Sequence, residues 1–263
     1  MDVAGKNIVV TGGAHGIGRA LSKRFAQAGA GHVTVVDLDE AKATEVATSI
    51  DGTARGADVG DRDSVVGLVR DVEAAHGPID FFVSNAGILV PGSVEASVDD
   101  WQRIWDVNVM AHVHAAHAVL PGMLERGGGA FLNTCSAAGL LTQIGSAPYA
   151  VTKHASVSFA EWLSITYGDQ GIQVFALCPQ AVNTAMTKNI EGGGVAGVDG
   201  MLEPADIAEA VMQGLAAETF LILPHPEVAT YFQRKAGDYD RWIRGMRKLN
   251  AQFGPDMEAL VGR

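Results

Sequence analysis

Asn7-Ile8-Val9-Val10-Thr11-Gly12-Gly13-Ala14-His15-Gly16-Ile17-Gly18 is the stretch that decides the fold. An apolar run of strand length enters a glycine-spaced turn directly, and a helical pattern follows. Glycines at 12, 16 and 18 permit a tight turn, close approach of the backbone to a pyrophosphate, and close packing of the helix. The helix amino end adds free N–H groups and a positive dipole. The spacing is GxxxGxG, not the commoner GxGxxG. A glycine-rich turn alone is weak evidence, but between a strand and a helix it predicts a nucleotide-phosphate cradle.

Outward from this stretch, strand-length apolar runs near 7 to 11, 32 to 37, 53 to 57, 79 to 84, 129 to 135, 172 to 177 and 219 to 223 alternate with helical segments. That alternation predicts an α/β protein, a doubly wound Rossmann-like fold with a seven-stranded parallel sheet flanked by helices. The second strand ends at Asp37, 19 residues beyond Gly18. An acidic side chain at this place accepts from the adenosine ribose hydroxyls and repels a 2′-phosphate, which predicts NAD over NADP. His15, in the turn, argues weakly the other way. Asp39 is the better candidate for capping the next helix.

Tyr149 and Lys153 lie four residues apart, so a helix projects both from one face. A tyrosine near ~10 must lose roughly three units to act as a base near neutrality, about 4 kcal/mol. One ammonium about 4 Å away at an effective dielectric of ~20 supplies roughly that much. The pair is common on ordinary helices and gains meaning only with the cradle.

With these residues in place the chain resembles the short-chain dehydrogenase/reductase family over nearly its whole length. Thr11-Gly12-x-x-x-Gly16-x-Gly18 is similar to the family's coenzyme turn, Asp58-Val59 to its adenine contact, and Asn85-Ala86-Gly87 to its sheet-stabilising motif. Asn108, Ser136, Tyr149 and Lys153 match its catalytic tetrad, with Ser136 13 residues before Tyr149. The family's Pro-Gly after the sixth strand stands here as Pro179-Gln180, followed by Val182 and Thr184, a departure in the nicotinamide loop. The resemblance implies a dinucleotide set of Gly12, His15, Gly16, Ile17, Gly18, Asp37, Leu38, Asp58, Val59, Asn85, Ala86, Gly87, Tyr149, Lys153, Pro179, Val182 and Thr184. It also implies that Tyr149 exchanges the proton and Ser136 holds the substrate oxygen. Lys153 then also bonds the nicotinamide ribose, Asn108 carries a water that relays protons, and the chains form a homotetramer or homodimer through the Asn108 and Tyr149 helices.

Length fits one domain, 1 to 263, that binds the dinucleotide and performs the chemistry. No run of eighteen apolar residues and no leader-like start occurs, so neither a membrane span nor a secretory signal is expected and the protein reads as cytoplasmic. Cys135 and Cys178 read as small core residues rather than a disulfide. The net charge of −11 disfavours nucleic acid as a partner, yet from His225 onward seven Lys or Arg face five Asp or Glu. In that tail, about 225 to 263, Arg241, Arg244 and Lys248 share one helical face and Trp242, Met246 and Leu249 another, which predicts an amphipathic helix with a solvated basic side.

Ser97-x-x-Asp100 predicts the start of one long helix to about residue 125, and Pro204 suits a first helical turn. His112, His114 and His117 on the long helix do not converge as metal ligands, so no metal is expected and a subunit contact is the better use for them. The glycine-rich segment 185 to 203 is expected to be a mobile lid. Leu140, Leu141, Ile144, Met186 and Met201, with Leu89 and Val90 at the rim, favour a hydrophobic secondary alcohol or ketone as substrate, with Gln143 and Ser146 available to a polar end. Two alternatives compete: a 3-oxoacyl-thioester reductase, for which NADPH and a basic docking surface are expected, and a catalytically silent NAD-binding protein.

Overall fold

The computed structural model describes residues 1–261, with side chains through residue 254, so the last two residues of the basic tail lie outside it. Seven strands form one parallel sheet in the order β3-β2-β1-β4-β5-β6-β7: β1 Asn7–Thr11, β2 His32–Asp37, β3 Thr53–Gly56, β4 Phe81–Ser84, β5 Gly129–Thr134, β6 Ile172–Leu177 and β7 Leu221–Ile222. All seven expected strands are present, several trimmed by one to three residues where ladder bonds run out. The helices are α1 Gly16–Gln27, α2 Glu40–Thr48, α3 Arg62–His76, α4 Val98–Trp105, α5 Ala111–Glu125, α6 Ala138–Leu141, α7 Ala147–Tyr167, α8 Pro204–Ala216, α9 Glu227–Gly237 and α10 Tyr239–Val261.

Two apolar layers hold the sheet between them, because side chains alternate along each strand. Ile8 and Val10 pack with Leu21, Phe25, Ile207 and Val211 on the α1 and α8 side, whereas Val9 packs with Leu68, Val72, Val119 and Leu163 on the α3, α5 and α7 side. Order reverses between β1's two neighbours, β2 and β4. Ligands of open parallel sheets bind at such a switch point, beyond the carboxyl ends of the strands.

The single helix expected from Ser97 to about 125 is instead α4 and α5 joined by a π turn, Asp106–Met110. One extra residue in the turn breaks the regular ladder around Asn108, whose backbone carbonyl accepts from Ser156 Oγ while its side chain bonds Ile88. The Ser97 hydroxyl caps α4 by accepting from Asp100 N at 3.0 Å. At α8, Pro204 takes the first turn and Glu203 and Asp206 close a capping box. Cys135 and Cys178 are both buried and free, and no helix among the described residues is long and apolar enough to cross a membrane.

Candidate active site

The strand carboxyl ends open into a cavity of about 1400 Å³. Apart from Gly18 and Asn108, every residue of the predicted dinucleotide and tetrad sets lines it. Gly18 acts below the surface: a Cβ there would run into the Gly12 carbonyl and come within 2.5 Å of Asn85 Nδ2. Gly12 has φ +62°, and a Cβ would lie 2.8 Å from Ala86 Cα. The turn is therefore closed by backbone against backbone. Above it, α1 begins at Gly16 with no side-chain cap on His15 and no acidic residue in its first turn. Uncapped N–H groups facing a cavity suit an anion, so the cradle fits a dinucleotide pyrophosphate.

Asp37 stands at the end of β2, its Oδ2 accepting from Ala14 N at 3.1 Å and its Oδ1 from Asp39 N at 3.2 Å. Asp39 caps α2 by accepting from Lys42 N at 3.2 Å, which leaves Asp37 as the carboxylate that lines the cavity there. Asn85 stitches three strands: Nδ2 donates to Thr11 O at 3.0 Å, and Oδ1 accepts from Thr134 Oγ1 at 3.1 Å. Asp58 turns its chain by accepting from Gly60 N at 2.9 Å. Thr184 packs over Gly16, where a Cβ would meet its methyl at 3.0 Å.

Ser136 follows β5 with φ 143°, a conformation rare for a residue with a side chain. It is held there because Ala137 N donates to Pro179 O at 2.9 Å and Ala138 N to Ser136 Oγ at 3.1 Å. Tyr149 enters from the first turn of α7, where Ser146 Oγ accepts from its N–H at 3.2 Å. Burial pushes the phenol up, against the hydrogen bond with Ser136, which pulls it down. The expectation that Lys153 makes the phenol acidic is thus not met by these surroundings. The ammonium lies 5.6 Å from the ring centroid and donates to Thr134 O at 2.9 Å. Burial pushes Lys153 down to about 8.

Asn108 is buried beneath the cavity, clamping Ile88: Oδ1 accepts from Ile88 N at 2.9 Å and Nδ2 donates to Ile88 O at 3.0 Å. Its carbonyl accepts from Ser156 Oγ at 2.6 Å. His112, one turn on, is buried as well and lies in the chain's interior, which corrects its assignment to a subunit contact. Neither ring nitrogen has a partner among the described residues, and burial, with the Lys153 charge nearby, pushes it down to about 3. Only His114 and His117 remain partly exposed or exposed, with Arg62 bonded to His117 at 2.9 Å. Among the described residues no cluster could hold a metal ion.

The segment after β6 is better tied than a loose connector. Ala181 N donates to Ala196 O at 3.0 Å and Asn183 N to Leu202 O at 2.9 Å, while Glu191–Gly197 forms a short helical piece whose glycines 192 to 194 carry positive φ. Around the substrate end, Leu89, Leu141, Gln143 and Met186 line the cavity as expected. Leu140, Ile144, Val90 and Met201 do not, and the first three are core residues. Ser146 is a helix cap whose hydroxyl donates to Val90 O at 2.5 Å. The sequence reading missed Tyr231, Arg234 and Asp238 in the wall. Nothing local marks them, because only the packing of α9 on α6 brings them there. In α10, Arg241 and Lys248 line the cavity with Trp242, Met246 and Leu249, and Arg244 does not, so the expected separation of basic and apolar faces is incomplete.

Comparison with known proteins agrees with this geometry. A family model described as short chain dehydrogenase matches residues 6–193. The 1-deoxy-11-beta-hydroxypentalenate dehydrogenase of Streptomyces exfoliatus is 35% identical over 244 residues, 89% of this chain and 88% of that protein. The meso-2,3-butanediol dehydrogenase of Serratia marcescens is 35% identical over 186 residues, 69% of this chain and 73% of that protein. A solved short chain dehydrogenase/reductase from Burkholderia phymatum, in complex with NAD, superposes with a TM-score of 0.82 at 26% identity, covering 91% of this chain and 96% of that one. The chain therefore belongs to the short-chain dehydrogenase/reductase family.

Proposed function

We propose that the protein transfers hydride between NAD(H) and a hydrophobic secondary alcohol or ketone, with Tyr149 as general base in oxidation and general acid in reduction. The observation that carries this reading is that Ser136, Tyr149 and Lys153 open on the same cavity as the Gly12 to Gly16 turn and Asp37. A bound dinucleotide supplies the hydride acceptor or donor. Ser136 Oγ holds the substrate oxygen, and Tyr149 Oη takes the hydroxyl proton as its own proton leaves for the relay, with hydride going to the dinucleotide. Lys153 Nζ, buried and still protonated near neutrality, would offer its remaining hydrogens to the nicotinamide ribose of a bound dinucleotide. Asn108 anchors Ile88 and serves the relay that returns the proton to solvent.

Apolar walls from Leu89, Leu141, Met186, Ile190, Val195 and Trp242 support a hydrophobic substrate. Two relatives are named for dehydrogenation of a hydroxylated compound, a hydroxypentalenate and a butanediol, which supports an alcohol as the reacting group. Asp37 supports NAD over NADP and disfavours the thioester reductase. In this reading the whole chain is one catalytic unit with residues 185 to 203 as its lid. Val151, Trp162 and Ile165, exposed along α7, support a homotetramer or homodimer. Absorbance of reduced nicotinamide, followed across a panel of alcohols and ketones with NAD(H) and NADP(H), tests the proposal. Turnover with NAD and an apolar secondary alcohol is expected; no turnover with any member, or equal turnover by Tyr149→Phe, overturns it.

A further inference from the structure

We infer that the substrate alcohol also carries a carboxylate, held by Arg234, Arg241 and Lys248 at the mouth of the cavity. This rests on the hydride-transfer reading of the same site. All three side chains are exposed and line the cavity. None has a carboxylate at ion-pair distance among the described residues. Asp238, beside them in the wall, caps α10, its Oδ1 accepting from Arg241 N at 2.9 Å, and among the described residues it is at ion-pair distance from none of the three. Among the described lining residues at this end, three cations face one carboxylate, a local excess of positive charge in a chain of net charge −11.

The same helix shows that these cations are placed, not scattered. Arg244 and Arg247 of α10 are exposed and lie outside the cavity lining, so the solvated basic face exists separately. Arg241 and Lys248 share the cavity side with Trp242, Met246 and Leu249. An apolar wall ending in cations suits an apolar body with an anionic end.

Position separates this group from the dinucleotide cradle. Lys235, the neighbour of Arg234, is buried and donates to Leu140 O at 2.6 Å. That bond fastens α9 to α6, the short helix that begins just after Ser136, so Arg234 belongs to the catalytic end. The opposite end carries Asp37 and Asp58. Arg234 is further ordered by the Tyr231 ring, 5.9 Å from its guanidinium carbon, and Tyr231 is itself fixed by donating to Asp199 at 2.9 Å. A guanidinium fork matches a carboxylate with two parallel hydrogen bonds.

The test compares kcat/KM with NAD for medium-chain secondary hydroxy fatty acids and monohydroxylated cholanic acids against their methyl esters, in the unaltered protein and in Arg234→Gln/Arg241→Gln. Both positions are exposed, so the variant should fold, and its melting temperature is recorded as a check. We expect acids to be preferred over esters by about tenfold or more, as for charge-assisted hydrogen bonds, and the preference to fall towards unity in the variant through a raised KM for the acid. Equal kcat/KM for acid and ester in the unaltered protein overturns the inference and leaves the hydride-transfer reading standing. So does a variant in which KM rises for NAD instead of the acid, or a preference for a 3-oxoacyl-coenzyme A, either of which assigns the cations to phosphates. Absence of turnover with acids, esters and neutral alcohols alike sinks the hydride-transfer reading itself.

Discussion

Lys153 Nζ donates to the Thr134 carbonyl across 2.9 Å, so a buried cation fastens α7 to the carboxyl end of β5. Burial holds this ammonium down to about 8, below the ~10.4 of an unfolded chain. Between those values the unfolded state binds more protons, so stability should rise as pH goes from about 8 to 10, by about 2 kcal/mol. Urea unfolding across that range is the measurement. Lys153→Met should remove the rise, and a variant with the same slope as the unaltered protein contradicts the burial argument.

Tyr149→Phe keeps the ring and removes only the hydroxyl. Turnover should fall by about 10² to 10⁴, the usual worth of general acid–base catalysis. NAD affinity, read by titrating protein fluorescence, should stay within about twofold, since uniform cofactor binding does not need the phenol.

Asp37→Asn leaves an oxygen for the Ala14 N–H and removes the negative charge. A carboxylate and a 2′-phosphate in contact repel by between about 1 and 4 kcal/mol, from bulk water to an effective dielectric of 20. The ratio of kcat/KM for NAD over NADP should therefore drop by about tenfold. An unchanged ratio would remove Asp37 as the selector.

His112 gives an acid-side prediction. Its folded value of about 3 lies far below the ordinary 6.5, so unfolding takes up a proton between them and stability falls as pH drops through that window. At pH 5 the loss from this residue alone is about 2 kcal/mol. His112→Leu should shrink the fall in melting temperature between pH 7 and pH 5. An identical fall in both proteins would place the acid sensitivity elsewhere.

Local pattern made much of this molecule legible. The strand at Asn7 to Thr11, the glycines after it and the acid at Asp37 are each set by neighbours within a few residues, and the structure places them as spacing implied. What escaped was non-local. Helical periodicity cannot reveal the π turn around Asn108, whose amide is satisfied by Ile88, 20 residues away. Nor does it tell lining from core: Leu141 and Leu140 are adjacent and equally apolar, yet only Leu141 reaches the cavity. Lys153 read as a charge beside a phenol because spacing shows a shared helix face and conceals the carbonyl of another strand.

The π turn at Asp106–Met110 has a further consequence. A bulge of this kind is one residue more than a regular helix would hold, so deleting a single residue within it restores uninterrupted 3.6-fold winding. Everything upstream would then rotate by about 100° relative to α5. Asn108 would turn away from Ile88, and Ile104 of α4, buried in the core, would turn with it. One inserted residue thus sets two things together, the core-facing side of α4 and the reach of the Asn108 amide, so its loss would unsettle both, as no side-chain exchange at Asn108 does.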